Sequence, residues 1–258
     1  MNGAGTTVAD AVGEALVRCG IDAVFGVVGS GNFAVTNAMV AAGARYVAAR
    51  HEGGAATMAD AHARMSARVA ALSLHQGCGL TNALTGITEA AKSRTPLVVV
   101  TAEATSRRSN FFVDQQALAA AVGAVPMRVE RADDAAAVAA AAVATARDER
   151  RVVVLNLPLD VQQLPAGSIA PEPTPPRAPV APADDDVDRL ADALRRALRP
   201  VFVAGRGARG AARGQLSKPS RTGAGRCWRP PRSRRGCSAA APGTWTSPAA
   251  SPPRSPRS

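Results

Sequence analysis

Apolar positions in the first 160 residues fall into two alternating rhythms. Val8, Ala11, Val12, Ala15, Leu16 and Cys19 recur at helical spacing. This predicts a helix with Thr6 or Thr7 as its N-cap and Gly20 as its stop. A continuous apolar run, Ala23 to Val28, follows and reads as a buried strand closed by glycines. The same strand signal returns at Tyr46 to Ala49, Val69 to Leu74, Leu97 to Ala102 and Val152 to Leu157, each time after a stretch long enough for a helix. These runs are apolar on both faces rather than alternating, as strands covered on both sides of a parallel sheet are. The expected fold class is α/β, a parallel sheet with helices on both faces.

The rhythm breaks between Gln162 and Asp186, where Pro165, Pro171, Pro173, Pro175, Pro176, Pro179 and Pro182 block helix and sheet pairing. Beyond this linker, Val187 to Leu198 predicts a helix, and Pro200 to Ala204 a strand ending in Gly205-Arg206-Gly207. Together they resemble the opening step of a second α/β domain. After about Ala211 the periodicity stops, and eight of the 19 prolines and both tryptophans appear. Such a segment buries too little apolar surface to offset a chain entropy of roughly 1 to 2 kcal/mol per residue. The expected organisation is therefore a domain over 1–165, a Pro-rich linker over 166–185, an incomplete second domain over 186–210 and a disordered basic tail over 211–258. A natural tail and GC-rich coding DNA read out of register both produce this composition. The abandonment of the second domain in mid-fold favours a shifted or truncated reading frame.

Charge changes the picture only in its location. The net charge of +11 would suggest a nucleic-acid partner if it covered the fold. Residues 211–258 hold ten Lys and Arg and no acid, which leaves 21 basic residues against 20 acidic ones before them. Nucleic acid is therefore not the expected partner. The 47% hydrophobic content suffices for a core. No apolar run approaches the ~20 residues of a membrane span, and the first ten residues lack a secretory signal, so the cytoplasm is the expected location. Cys19, Cys78, Cys227 and Cys237 lack metal-ligand spacing, and no metal site is expected among them.

Two glycine-rich turns follow strands and point to different chemistry. Gly29-Ser30-Gly31-Asn32-Phe33-Ala34 fits the dinucleotide pattern, and Glu52 stands about 20 residues on, where a ribose-binding acid would lie. That makes an NAD(P)-binding Rossmann oxidoreductase the alternative function. Against it, a helix precedes the supposed first strand, and Glu52 opens a new helix followed by Gly53-Gly54 instead of ending a strand.

The second turn is His75-Gln76-Gly77-Cys78-Gly79-Leu80-Thr81-Asn82, ahead of a helix running to about Lys92. With it come Phe25-Gly26-Val27-Val28-Gly29, Arg50-His51-Glu52-Gly53-Gly54-Ala55-Ala56, the run from Gly77 to Ile87 and Thr95-Pro96-Leu97-Val98-Val99-Val100. In order and spacing these four motifs resemble the N-terminal pyrimidine-binding domain of thiamine diphosphate-dependent enzymes of the acetolactate synthase, benzoylformate decarboxylase and pyruvate oxidase type. The likeness covers about residues 5–165. It implies the thiamine diphosphate-binding fold, a small 2-keto acid substrate and a homodimer or tetramer in which two subunits share each cofactor. It also implies Mg2+, held with the diphosphate on a domain that this sequence lacks, so that the chain alone is expected to bind the cofactor weakly. A non-catalytic subunit that docks a separate diphosphate-binding partner remains a further alternative.

The resemblance assigns the catalytic carboxyl to Glu52. Thiamine's ring carbon must lose a proton at neutral pH, and the base is the cofactor's own imino group, formed when a carboxyl hydrogen-bonds the opposite ring nitrogen. An apolar setting that raises the carboxyl's proton affinity favours this role, and Ala55, Ala56 and Met58 supply one. A surface carboxylate stabilised at a helix start is the structural alternative. Val28, Gly29, His75, Gly79 and Asn82 match cofactor-binding positions, with Asn82 expected at a helix N-terminus where it or Thr81 also serves as a cap. Val28 and Cys78 replace prolines of the family pattern, and His75 and Gln76 replace small hydroxyl residues. Gln115 and Gln116 fall near an active-site glutamine, which makes them substrate candidates or a solvated helix start.

Overall fold

The computed structural model describes residues 6–167, 173–178 and 180–199. The predicted strand at Pro200 to Ala204 and the tail over 211–258 lie outside the described residues. The chain divides into two units, Met1–Pro179 and Val180–Ser258. The second contributes one described helix, Asp184–Arg196, where the sequence predicts one over Val187 to Leu198.

The first unit opens with α1 (Val8–Arg18), set by a reciprocal cap. Thr7 Oγ1 accepts from the Asp10 amide, and Asp10 Oδ2 accepts from the Thr7 amide at 2.9 Å. This satisfies two of the donors that a helix start leaves orphaned. Gly20, at φ +106°, ends the helical run in a conformation that side chains disfavour. Then come β1 (Ala23–Gly26), α2 (Phe33–Ala41), β2 (Arg45–Ala48), α3 (Glu52–Ser66), β3 (Ala70–Leu74) and α4 (Cys78–Lys92). They are followed by β4 (Leu97–Glu103), α5 (Gln115–Ala121), β5 (Val125–Arg128), α6 (Ala135–Asp148) and β6 (Val152–Pro158).

All six strands form one parallel sheet in the order β2-β1-β3-β4-β6-β5. The five predicted strands are present, and β5 is the one the pattern missed. It is a half-buried edge strand of four residues that includes Pro126, which an edge tolerates because it needs one row of hydrogen bonds fewer. Alternate residues of the central strands feed two cores. Val98 and Val100 join Leu16, Met39 and Val143 beneath α1, α2 and α6, while Leu97 and Val99 join Leu72, Leu80 and Ile87 beneath α3 and α4. The helices therefore cover both faces.

Strand order decides where a ligand can sit. The β1-to-β2 connection runs through α2 on one face, and the β2-to-β3 connection runs through α3 on the other. The chain thus reverses direction between the adjacent strands β1 and β3. In open α/β sheets the crevice at such a switch, beyond the carboxyl ends of the strands, receives ligands. The order also differs from the 3-2-1-4-5-6 arrangement of dinucleotide folds.

Candidate functional site

The turn after β1 forms one wall of the crevice, and a side chain that the sequence motifs do not single out holds it in shape. Asn32, fully buried, accepts from the Gly29 amide at 2.8 Å and donates to the Val27 carbonyl at 3.2 Å and to Ser73 Oγ at 2.9 Å. Thr36 Oγ1 lies 2.7 Å from the same Ser73 hydroxyl. The amide therefore ties the turn to the last residues of β3. In the sequence, Asn32 registered only as part of a glycine pattern. Val28 projects from this turn at 45% exposure. A Cβ on Gly29 would stand 2.4 Å from the His75 ring, so nothing larger than glycine fits beside it.

His75, half-buried, directly follows β3 on the opposite wall. Its Nδ1 lies 3.1 Å from the Gln76 carbonyl, which can only accept, so Nδ1 carries the proton. In the neutral ring Nε2 is then the acceptor for the Ser30 hydroxyl, at 3.4 Å. The Phe111 ring meets the imidazole edge-on at 5.0 Å between centroids. Gly77 follows at φ +63° and opens α4, which begins at Cys78. Asn82 consequently lies one turn inside the helix, and neither it nor Thr81 is the cap, in contrast to the sequence expectation.

Glu52 is the first residue of α3, and His51 is its N-cap, accepting from the Gly53 amide at 3.0 Å. The side chain is half-buried and turned toward α4. Asn82 Nδ2 donates to Glu52 Oε2 at 3.1 Å, and Oε1 faces Gly79, 3.8 Å from where a Cβ on that residue would stand. The two helices come this close because their facing residues are small. Gly79 of α4 faces Glu52 of α3, Ala83 shares a buried cluster with Ala56 and Ala59, and a Cβ on Gly86 would stand only 2.5 Å from that of Ala56. The crevice thus gathers Val28, Gly29, Glu52, His75, Gly79 and Asn82.

Gln115 and Gln116 occupy different settings. Gln115 is 1% exposed and fully engaged: it accepts from the Gly77 amide at 2.9 Å and donates to the Ala102 carbonyl at 3.0 Å and to Asn156 Oδ1 at 2.8 Å. It fixes the floor under the His75 loop. Gln116 lies exposed in the first turn of α5. Among the described residues no cluster of three His, Cys, Asp or Glu could hold a metal, and no helix is long and apolar enough to cross a membrane.

The same domain is found in known proteins. The family model described as thiamine pyrophosphate enzyme, N-terminal TPP binding domain, matches residues 6–122. Sulfoacetaldehyde acetyltransferase of Rhodobacter capsulatus is 32% identical over 211 residues, which are 78% of this chain and 35% of that protein. The catabolic acetolactate synthase of Raoultella terrigena is 29% identical over 203 residues, 76% of this chain and 36% of the relative. The solved thiamine diphosphate-dependent 4-hydroxybenzoylformate decarboxylase of Rhodococcus jostii superposes with a TM-score of 0.67 at 25% identity, covering 76% of this chain and 38% of its own. The chain spans little more than a third of the length of these relatives. Through its parallel-sheet domain, this chain belongs to the thiamine diphosphate-dependent enzymes, of which residues 6–122 are the N-terminal TPP binding domain.

Proposed function

We propose that this chain contributes the pyrimidine-binding half of a thiamine diphosphate enzyme acting on a small 2-keto acid, with Glu52 as the cofactor-activating carboxyl. The observation that supports this reading is the Glu52 carboxylate itself, which accepts from Asn82 with one oxygen while the other faces Gly79 in the first turn of α4. The surrounding residues fit a flat heterocycle. Gly29 and Gly79 let His75 pack close between the two turns, Gly79 adds no side chain in front of the Glu52 carboxyl, and Val28 offers an exposed apolar surface.

Bound thiamine diphosphate would supply an acidic ring carbon and an aminopyrimidine whose basicity depends on a hydrogen bond to its opposite ring nitrogen. Glu52 would set Oε1 against that nitrogen and share a proton with it. Asn82, donating to Oε2, fixes the carboxyl's rotation so that Oε1 keeps facing the crevice. His75, its tautomer set by the Gln76 carbonyl and its ring braced by Phe111, presents Nε2 with Ser30 toward the substrate side. Gln116 is the exposed one of the paired glutamines and remains a substrate-contact candidate.

The same reading treats residues 1–165 as the pyrimidine domain, 166–185 as a linker and 186–210 as the start of a central domain. It puts Mg2+ and the diphosphate on another domain, supplied across a homodimer or tetramer in the cytoplasm. The reaction would be decarboxylation or carboligation.

The test is the rate at which the proton on the reactive thiazolium carbon of millimolar thiamine diphosphate exchanges with deuterated water, followed by NMR with Mg2+ present. The chain should accelerate exchange over the free cofactor. Glu52→Gln should remove about 100-fold or more of the acceleration, in the range of a positioned proton-transfer group, with an unchanged melting temperature. No acceleration by the native chain, or equal acceleration by the variant, refutes the assignment.

A further inference from the structure

The segment between β4 and α5 carries two exposed cations, Arg107 and Arg108, and its Phe111 borders the side of the crevice where His75 stands. It leaves the carboxyl end of β4, the strand next to β3, and is fastened to the His75 loop in two ways. The Phe111 ring meets His75, and the Phe111 carbonyl packs on Gly77 so closely that a Cβ there would stand 2.4 Å from it. The segment is also folded on itself by two serines. Ser106 Oγ accepts from the Arg108 amide and Ser109 Oγ from the Phe111 amide, while the Ser109 and Phe112 amides donate to the Ser106 and Ser109 carbonyls at 2.9 and 3.1 Å.

Its arginines carry no counter-charge. Among the described residues no carboxylate pairs with Arg107 or Arg108, although Arg128 on the neighbouring β5 is taken up by Glu103 at 2.6 Å. The Arg107 guanidinium lies over the Phe112 ring, 5.4 Å from its centroid, an arrangement that holds the cation in place while leaving its N–H edge available. A preorganised guanidinium of this kind favours a two-oxygen anion over a neutral group.

We propose that Arg107 is a specificity-determining residue that binds an anionic group at the far end of the substrate from its reacting carbonyl. This inference rests on the 2-keto acid reading given above. The distal position follows from the chemistry of the reaction. A carboxylate lost as carbon dioxide gives up its charge on the way to the transition state, so a cation paired with it would stabilise the ground state and slow the reaction. Arg107 is therefore useful only against a charge that survives, such as a second carboxylate or a sulfonate.

The probes are 2-oxoglutarate, 2-oxo-4-sulfobutanoate and 2-oxopentanoate, the last lacking the distal charge, each titrated calorimetrically into the 258-residue chain. The native chain should bind at least one of the first two about tenfold or more tighter than the third, and the stronger of them identifies the anion. Arg107→Ala should erase the preference, and Arg107→Lys should keep part of it. Equal binding of all three by the native chain, no binding of any, or a preference that survives Arg107→Ala overturns the proposal. Cofactor proton exchange separates the readings. A native chain that fails to accelerate it refutes the Glu52 assignment, whereas one that accelerates it and yet binds the three acids alike refutes the Arg107 subsite alone.

Discussion

Gly86→Ala tests whether the close approach of α3 and α4 sets the position of the Glu52 carboxyl. A Cβ at residue 86 would lie 2.5 Å from the Ala56 Cβ and 3.4 Å from backbone atoms of Ala56 and Thr57. Methyl carbons rest at about 3.5 to 4.0 Å, and Ala56 has no torsion with which to retreat, so α3 must move by roughly 1 Å. Glu52 lies one turn before Ala56 and Asn82 one turn before Gly86, so the same displacement lengthens their 3.1 Å hydrogen bond to roughly 4 Å, beyond effective range. Overpacking costs about 1 to 3 kcal/mol, and the better helix propensity of alanine returns about 1 kcal/mol. The rigidity of the contact places the net loss at about 1 to 2 kcal/mol. With a urea slope of about 2 kcal/mol per molar, the midpoint should fall by roughly 0.5 to 1 M, and cofactor proton exchange should slow with it. Ala56→Gly in the same chain moves the methyl from one helix to the other and should restore both properties, giving a favourable coupling energy. A raised midpoint for Gly86→Ala, or a double variant no better than additivity, would sink the argument.

Two further outcomes follow from the supporting contacts. Gln115→Leu keeps the volume but leaves the Gly77 amide, the Ala102 carbonyl and Asn156 short of partners, which should cost about 2 to 4 kcal/mol in urea unfolding; a loss below about 0.5 kcal/mol contradicts the role given to this side chain. The hydrogen bond from Arg147 holds the Asp148 carboxyl below its ordinary value of 3.8, so its stabilising contribution is present above that value and is lost as pH falls through the lower folded one. The Arg177 amide, which donates to Asp148, should report this titration in NMR with a midpoint under 3.8, and a midpoint at or above it refutes the pairing.

How much of this was legible in the sequence depended on how many residues carried each signal. The central strands β1, β3, β4 and β6 announce themselves because burial on both faces leaves continuous apolar runs, and the edge strand β2 shows through the short run Tyr46 to Ala49. Strand β5 does not, since an edge position lets it keep half-buried residues and a proline. The site divides the same way. Glu52 and Gly79 stand in runs whose order is characteristic, whereas Asn32 and Gln115 act through single amides that reach across sequence gaps to Ser73, Gly77 and Asn156. Periodicity cannot see such a contact. Asn82 illustrates an intermediate case: its nearness to a glycine turn suggested a cap, but the helix starts earlier, at Cys78, because Gly77 takes the positive-φ position.

The fold also explains why the carboxyl comes from an element remote in sequence from the turns it works with. Glu52 follows β2, a strand separated from β3 by β1, and only residues 49–51 lie between the end of β2 and the helix that it opens. It meets the first turn of α4 because α3 then runs against α4 on the same face of the sheet. The approach works only if both helices keep glycine or alanine along their shared face, which is what Ala56, Ala59, Gly79, Ala83 and Gly86 supply. Tolerance should therefore be uneven across the domain. Larger apolar residues at the α1–α6 face would mainly disturb stability, whereas one added methyl between α3 and α4 would uncouple Glu52 from Asn82 while the sheet remained folded.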